Sequence, residues 1–517
     1  MNLPPSGVAD PPAPPVPVTG RALPNGLAAF LVFFSSGAVL VLETVALRLV
    51  GPYVGVTLQV TSSVIGIALA AIAYGAWTGG RLADRRDPRP LLAPALVLAG
   101  IATAVTLPVV RYAGEVLRGG AASAILLLVA LAVFVPALLL SAVTPLVVKL
   151  QLADLRRTGQ VVGRLSSIGT LGGITATLLT GFVLVAALPS TVILLALAVA
   201  LGVAGLVLGW YLHRRGAADL PGPGRAKAAL AVLGLVGAGL TTVAPNPCDI
   251  ETAYHCAKVE ADPDRPTGRT LLLNSAQHSY VDLADPRHLE YAYTKWFGAV
   301  ADVTAPAGRR LDALHLGGGG FTVPRYLTAT RPGTDNLVFE IDRGLIELGE
   351  RELGVRQGPD LTAVAGDARL LVAAEPTDSR DLVVGDAFGH LVVPWHLATR
   401  EMVAEIRRVT RPGGVYVQNV IDYPPLRFIR SELATVAAEF RHVALIAPPE
   451  AISGETGSNF VLLASDAPLP LDAVHDRLAE VDAGATLIAD DELSDFVGDA
   501  LVLTDDYAPV DQLLATA

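Results

Sequence analysis

The sequence predicts two unlike halves: an α-helical multi-pass membrane domain, then an α/β domain with a doubly wound parallel sheet preceded by a small β-subdomain. Three observations carry this. Apolar residues make up 52% of the 517-residue chain and charged ones 17%, against roughly 25% charged in ordinary soluble domains. The apolar excess sits almost wholly before residue 245. Beyond it, short strand-like runs alternate with helical stretches, with glycines and acids at the ends of the runs. The net charge of −11 comes mostly from the second half. That balance offers no basic footprint, so a nucleic-acid partner is not expected.

Residues 1–25 are rich in Pro, Gly and Ala, with Arg21 as their one basic residue. They read as a disordered tail and not a signal peptide, whose charged n-region is missing. Apolar stretches follow at about 26–50, 57–79, 91–110, 121–148, 165–188, 191–212 and 228–244. Most reach the roughly 20 residues that a spanning helix needs, which makes 26–244 a transmembrane domain of about seven helices with the lipid bilayer as its partner. Arg81, Arg85, Arg86 and Arg89 follow the second stretch, Lys149, Arg156, Arg157 and Arg164 lie around the fourth loop, and Arg214, Arg215, Arg225 and Lys227 precede the last stretch. The alternate loops hold Arg111 and Arg118. This asymmetry puts the N-terminus in the cytoplasm. With 228–244 as the seventh span, the C-terminal half is expected on the extracytoplasmic side.

Two ionisable residues stand within the first span. Glu43 lies near its middle, where an ionisable group is costly unless it faces protein or a polar path. Arg48 lies near its end, where a long side chain reaches the interface. Pro136 and Pro145 are expected to kink the fourth helix.

The residues over 245–310 read as the β-subdomain with a linking helix, and those over 311–517 as a Rossmann-like, methyltransferase-type domain. Strands are expected at 251–259, 269–273 and 278–283, and a helix at about 287–301. Strands then alternate with helices: Leu311–Leu316, Asn336–Ile341, Leu361–Ala365, Asp381–Gly385 and Gly414–Val420, with a helix near 396–409 before the last. Cys248 and Cys256 are the only cysteines. They form either two separate thiols or one short-loop disulfide, which would require the oxidising side of a membrane. With no further Cys or clustered His beside them, no metal site is expected.

The first strand runs into Gly317-Gly318-Gly319-Gly320-Phe321, a turn that lets backbone approach a ligand closely. The second ends in Glu340-Ile341-Asp342, where Glu340 is placed to accept ribose hydroxyls. The third ends in Gly366-Asp367-Ala368, which puts Asp367 at an adenine edge. The fourth ends in Asp386, a candidate general base towards an incoming nucleophile, or else a cap on the next turn. Together these features point to an adenosine-type ligand.

At these residues the chain resembles the spermidine synthase (polyamine aminopropyltransferase) family, and more narrowly its bacterial membrane-fused form. The run Gly79-Gly80-Arg81-Leu82-Ala83-Asp84-Arg85-Arg86 resembles the loop between helices two and three of major-facilitator transporters. Glu290-Tyr291-Ala292-Tyr293 matches the family's Glu-Phe-Ala-Tyr helix, and Leu273-Asn274-Ser275-Ala276-Gln277-His278 its Leu-Asp-Gly turn. The resemblance implies decarboxylated S-adenosylmethionine (or S-adenosylmethionine itself) as co-substrate, without a metal. It implies a small amine or polyamine acceptor lined by Tyr293 and His278, with Asp386 as base; a homodimer is also expected. The chain departs from the family at Gly320, which stands for an Asp, at Gly389, which stands for the second catalytic-loop acid, and at His278, which stands for a Gln. These losses imply an altered acceptor or an inactive binding domain. Two alternatives therefore stand beside the aminopropyltransferase: an S-adenosylmethionine-dependent methyltransferase, and a non-catalytic nucleoside- or amine-binding transport or sensor protein. A sulfonium nucleoside is made in the cytoplasm, which opposes an outside placement of the domain that would use it.

Overall fold

The computed structural model describes residues 23–55, 58–118, 122–152, 155–215, 239, 244–274, 276–389, 392–482 and 484–514. The chain divides into two compact units, Met1–Pro245 and Asn246–Ala517.

The first unit contains α1 (Asn25–Val54), α2 (Leu58–Arg85), α3 (Arg89–Leu117), α4 (Ala122–Ser141), α5 (Val143–Gln151), α6 (Thr158–Leu179) and α7 (Ser190–Arg214). Among the described residues these supply six spans long and apolar enough to cross a membrane. The fourth, Ser123–Gln151, combines α4 and α5. Its expected kink is a break at Ala142, three residues before Pro145, whose missing N–H cannot bond back to Ser141. The seventh apolar stretch, 228–244, lies outside the described residues except for Gly239 and Ala244, and so does the expected tail up to residue 22. Small residues let the helices meet closely: a Cβ on Gly172 of α6 would overlap the Phe33 carbonyl of α1.

The basic loops that follow α2 and α5 meet at one end of this unit. Lys149 pairs with Asp84 at 2.7 Å, and the Gln151 side-chain amide donates to the Leu23 carbonyl at 2.7 Å. The opposite end joins Arg111 to Thr191 at 3.1 Å and Arg118 to the Pro52 carbonyl at 3.3 Å. Glu43 and Arg48 are both partly buried on α1.

The second unit opens with a four-stranded antiparallel meander: β1 (Ile250–Glu251), β2 (Cys256–Ala261), β3 (Gly268–Leu273) and β4 (Ala276–Asp282). The single strand expected over 251–259 is instead two strands. The Thr252 hydroxyl accepts the N–H groups of Tyr254 (3.2 Å) and His255 (2.8 Å) and so closes a turn between them. Cys248 and Cys256 are joined by a disulfide across this hairpin, with their Cα atoms 5.2 Å apart. The linking helix α8 (Ala292–Thr304) starts later than expected, after an extended stretch that leaves Glu290 outside it.

The large sheet contains β5 (Asp312–Leu316), β6 (Asp335–Glu340), β7 (Leu361–Ala365), β8 (Arg380–Gly385), β9 (Thr410–Asp422), β10 (His442–Ala447), β11 (Ser458–Ser465) and β12 (Thr486–Ala489). Their order is β12-β10-β11-β9-β8-β5-β6-β7. The strands β7, β6, β5, β8 and β9 are parallel, as the alternation requires. Beyond the last strand expected from the sequence, β11, β10 and β12 extend the sheet antiparallel. Fully buried Phe428 and Phe460 pack one face, and Trp296 and Phe297 of α8 the other. The chain winds outward from β5 in one direction and returns through β8 in the other. This Rossmann-like order puts its switch point at the C-terminal ends of β5 and β8, where ligands bind in such sheets.

Candidate active site

The turn after β5 leads into α9 (Thr322–Thr330). Gly317 holds a φ of +95°, and a Cβ there would overlap the Asp386 carbonyl, so only glycine fits. Its N–H donates to the Phe339 carbonyl at 2.8 Å, and the Asp386 N–H donates to the Leu316 carbonyl at 2.9 Å. These two bonds stitch the ends of β5, β6 and β8 together. Gly318 faces the buried Phe321 ring.

Glu340 is buried at the end of β6. One of its carboxylate oxygens accepts the N–H groups of Gly318 (2.8 Å) and Gly319 (3.2 Å), and the other accepts that of Asp342 (2.9 Å). Two of its roughly four acceptor sites are therefore spent on holding the glycine turn, and a third on the turn that follows β6. Asp367 caps α11 (Ala368–Val372, with α10 at Arg343–Glu352 before it) by accepting the Arg369 N–H at 2.9 Å. It also stands 3.5 Å from the His396 ring.

Asp386 accepts the Asn419 side-chain amide at 3.0 Å. The Tyr293 hydroxyl donates to the His278 carbonyl at 3.4 Å and stands beside the same carboxylate. Burial pushes the Asp386 carboxyl up to about 6, while Asn419 and Tyr293 pull it back down. Burial, and then the Asp386 charge, holds the Tyr293 hydroxyl well above its ordinary range.

Gly317, Gly319, Glu340, Asp367, Asp386 and His278 line one cleft. Tyr293 touches it through Asp386. The Cys248–Cys256 disulfide does not line it, and Glu43 and Arg48 belong to the other unit. Gly320 donates its N–H to the Ser279 hydroxyl at 2.9 Å, and a Cβ at this position would fall 2.5 Å from that of Ser279. Ser279 therefore occupies the space an acidic side chain would need. Gly389 is exposed and donates to the Val392 carbonyl at 2.8 Å.

Sequence reasoning missed several contributors. His255 and His396 also line the cleft, and the His255 ring is 3.1 Å from buried Asp342, which also accepts the Thr252 hydroxyl. Asn419 was detectable in principle: with Gln418 it interrupts the apolar run Val415–Ile421 at the height of Asp386.

No family model matches the chain. The chain is 27% identical to a polyamine aminopropyltransferase of Vibrio vulnificus over 220 residues, 40% of this chain and 71% of that protein. A probable spermidine synthase of Corynebacterium glutamicum is similar in structure, with 28% identity over 49% of this chain and 94% of that one and a TM-score of 0.46. Spermidine synthase from Thermotoga maritima aligns over 50% of this chain and 81% of its own, at 13% identity and a TM-score of 0.32. The C-terminal half of the chain is thus similar to polyamine aminopropyltransferases, and six long apolar helices precede it among the described residues.

Proposed function

We propose that the C-terminal half is an aminopropyltransferase-like enzyme. It would bind decarboxylated S-adenosylmethionine at the glycine turn and pass the aminopropyl group to a primary amine. The acceptor nitrogen attacks the carbon beside the sulfonium, the C–S bond breaks, and methylthioadenosine leaves. The proton released from the amine goes to Asp386. One observation carries this reading: a carboxyl held at about 6 by burial, steadied by Tyr293 and Asn419, opens on the cleft that Glu340 and Asp367 line. A base with that affinity is ionised at neutral pH yet still takes a proton. The 27% identity to a polyamine aminopropyltransferase supports the same chemistry. In this reading His278 and Tyr293 face the acceptor.

Ser279 beside Gly320 favours one alternative, since no carboxylate stands there for the aminopropyl ammonium. The domain would then bind a nucleoside or amine without turnover, in the service of transport or sensing. Incubation with each sulfonium nucleoside and a panel of amines separates the readings. Methylthioadenosine release supports aminopropyl transfer, S-adenosylhomocysteine would indicate a methyltransferase, and tight binding without product would indicate the non-catalytic alternative.

Glu340→Gln should weaken nucleoside binding by about 1–3 kcal/mol, the range for a charged hydrogen-bond partner. The amide cannot accept from Gly318, Gly319 and Asp342 as the carboxylate does. Unchanged affinity in calorimetry would remove Glu340 from the ligand.

The chain is also read as a multi-pass membrane protein with a cytoplasmic N-terminus, on the strength of the basic loops at one end of the first unit. An odd number of spans, including 228–244, then places Cys248 and Cys256 outside the cytoplasm, where their disulfide persists. A loop this short is worth roughly 2–3 kcal/mol by chain entropy, so reduction should loosen the β1–β2 hairpin without unfolding the unit. A membrane-impermeant thiol reagent on intact cells should label only after reduction. Labelling that needs permeabilised membranes but no reductant would put the second unit in the cytoplasm.

A further inference from the structure

β9 lies parallel to β8 with Gln418 opposite Gly385, so Asn419 comes level with Asp386. On the far side of β9 runs β11, antiparallel, with Asn459 opposite Ile421. The three side chains form a line across the sheet. The Asn459 amide donates to the Asn419 oxygen at 2.9 Å, and the Asn419 amide donates to Asp386 at 3.0 Å.

A carboxamide has one accepting end and one donating end. Once Asn459 donates to its oxygen, Asn419 can present only its NH2 group to Asp386. Without that donor the Asn419 amide is free to turn, and its oxygen would then face a carboxylate. We propose that Asn459 and Asn419 form a positioning relay that fixes both the orientation and the basicity of Asp386. The proposal rests on the reading of Asp386 as the base. Asn459 would act entirely through Asn419.

The other ionisable groups around Asp386 come from separate elements: Tyr293 on α8, His278 on β4, Glu340 on β6, Asp367 after β7, His255 on the turn before β2 and His396 on the 3-10 turn Trp395–Leu397. None lies on β9 or β11, so substitutions in the relay leave their identities unchanged. Burial raises the Asp386 carboxyl and the Asn419 hydrogen bond lowers it. Loss of a correctly oriented donor should therefore move it further up.

The test follows the protonation of Asp386 by infrared difference spectroscopy on the full-length chain in detergent, with the carboxyl band assigned by Asp386→Asn. In the unmodified chain the band should titrate at about 6. Asn459→Leu and Asn419→Leu should each move it up by about one pH unit. Asn459→Gln, which keeps a donor, should restore the original midpoint. The acid limb of kcat/KM should move with the band. An unmoved band in both leucine variants overturns the relay, whatever the turnover. A moved band in a chain that consumes no amine supports the relay and removes the proposed transferase activity.

Discussion

Asp386→Asn is expected to lower turnover by about 10²–10⁴-fold, the usual contribution of a positioned base. Nucleoside affinity should hardly change, because Glu340 and the glycine turn keep their own hydrogen bonds. The sign of the pH dependence follows from the carboxyl at about 6. A base must be deprotonated to act, so kcat/KM should be full above that value and fall as the pH drops through it. The variant should show a flat, low profile across the same range. Methylthioadenosine release between pH 5 and 8 provides the measurement. A variant that keeps both its rate and the acid limb would assign the base to another group.

The second large effect concerns stability. Glu432 lies on α13 (Arg427–Ala437, following α12 at Arg400–Val409) and is fully buried. Neither carboxyl oxygen has a hydrogen-bond partner among the described residues. Burial pushes it up to about 8, and the nearby Gln418 amide opposes this only in part. In the unfolded chain it ionises at its ordinary value of 4.5. Between those values the native state holds a proton that the unfolded state has released, so stability falls as the pH rises through the window. The loss is on the order of 5 kcal/mol by the time the native group ionises. Glu432→Gln removes the titration. Its melting temperature should equal that of the parent near pH 5 and exceed it by several degrees near pH 9. Equal melting curves at pH 9 would show that Glu432 ionises near its ordinary value in the folded protein.

Much of the architecture was legible before any coordinates. The six long apolar helices described in the first unit are marked in the sequence by apolar runs of about 20 residues, the length that would cross a bilayer. The parallel core β5–β9 was readable because each strand is a short apolar run with a Gly or acid at its C-terminal end, and the backbone chemistry of a βα turn demands those residues locally. Glu340, Asp367 and Asp386 stood out for the same reason: each is the acid at a strand end.

What local pattern could not decide was which groups meet. Apolar runs do not distinguish parallel from antiparallel pairing, so the direction of β10, β11 and β12 emerged only from their partners. The break at Thr252–His255 depends on one hydroxyl that accepts two N–H groups, and a propensity reading does not register that. Gly320 read as a missing acid; only the packed structure has Ser279 filling its place, from a strand some forty residues earlier. Asn419 and Asn459 are ordinary polar residues in sequence. They reach Asp386 because sheet register brings three separate strand positions into one line of hydrogen bonds. The acids that could bind a nucleoside were thus determined by the sequence itself, through the local chemistry of strand ends. Their hydrogen-bond partners, and with them the basicity of Asp386, were decided only by long-range contacts that tertiary packing creates.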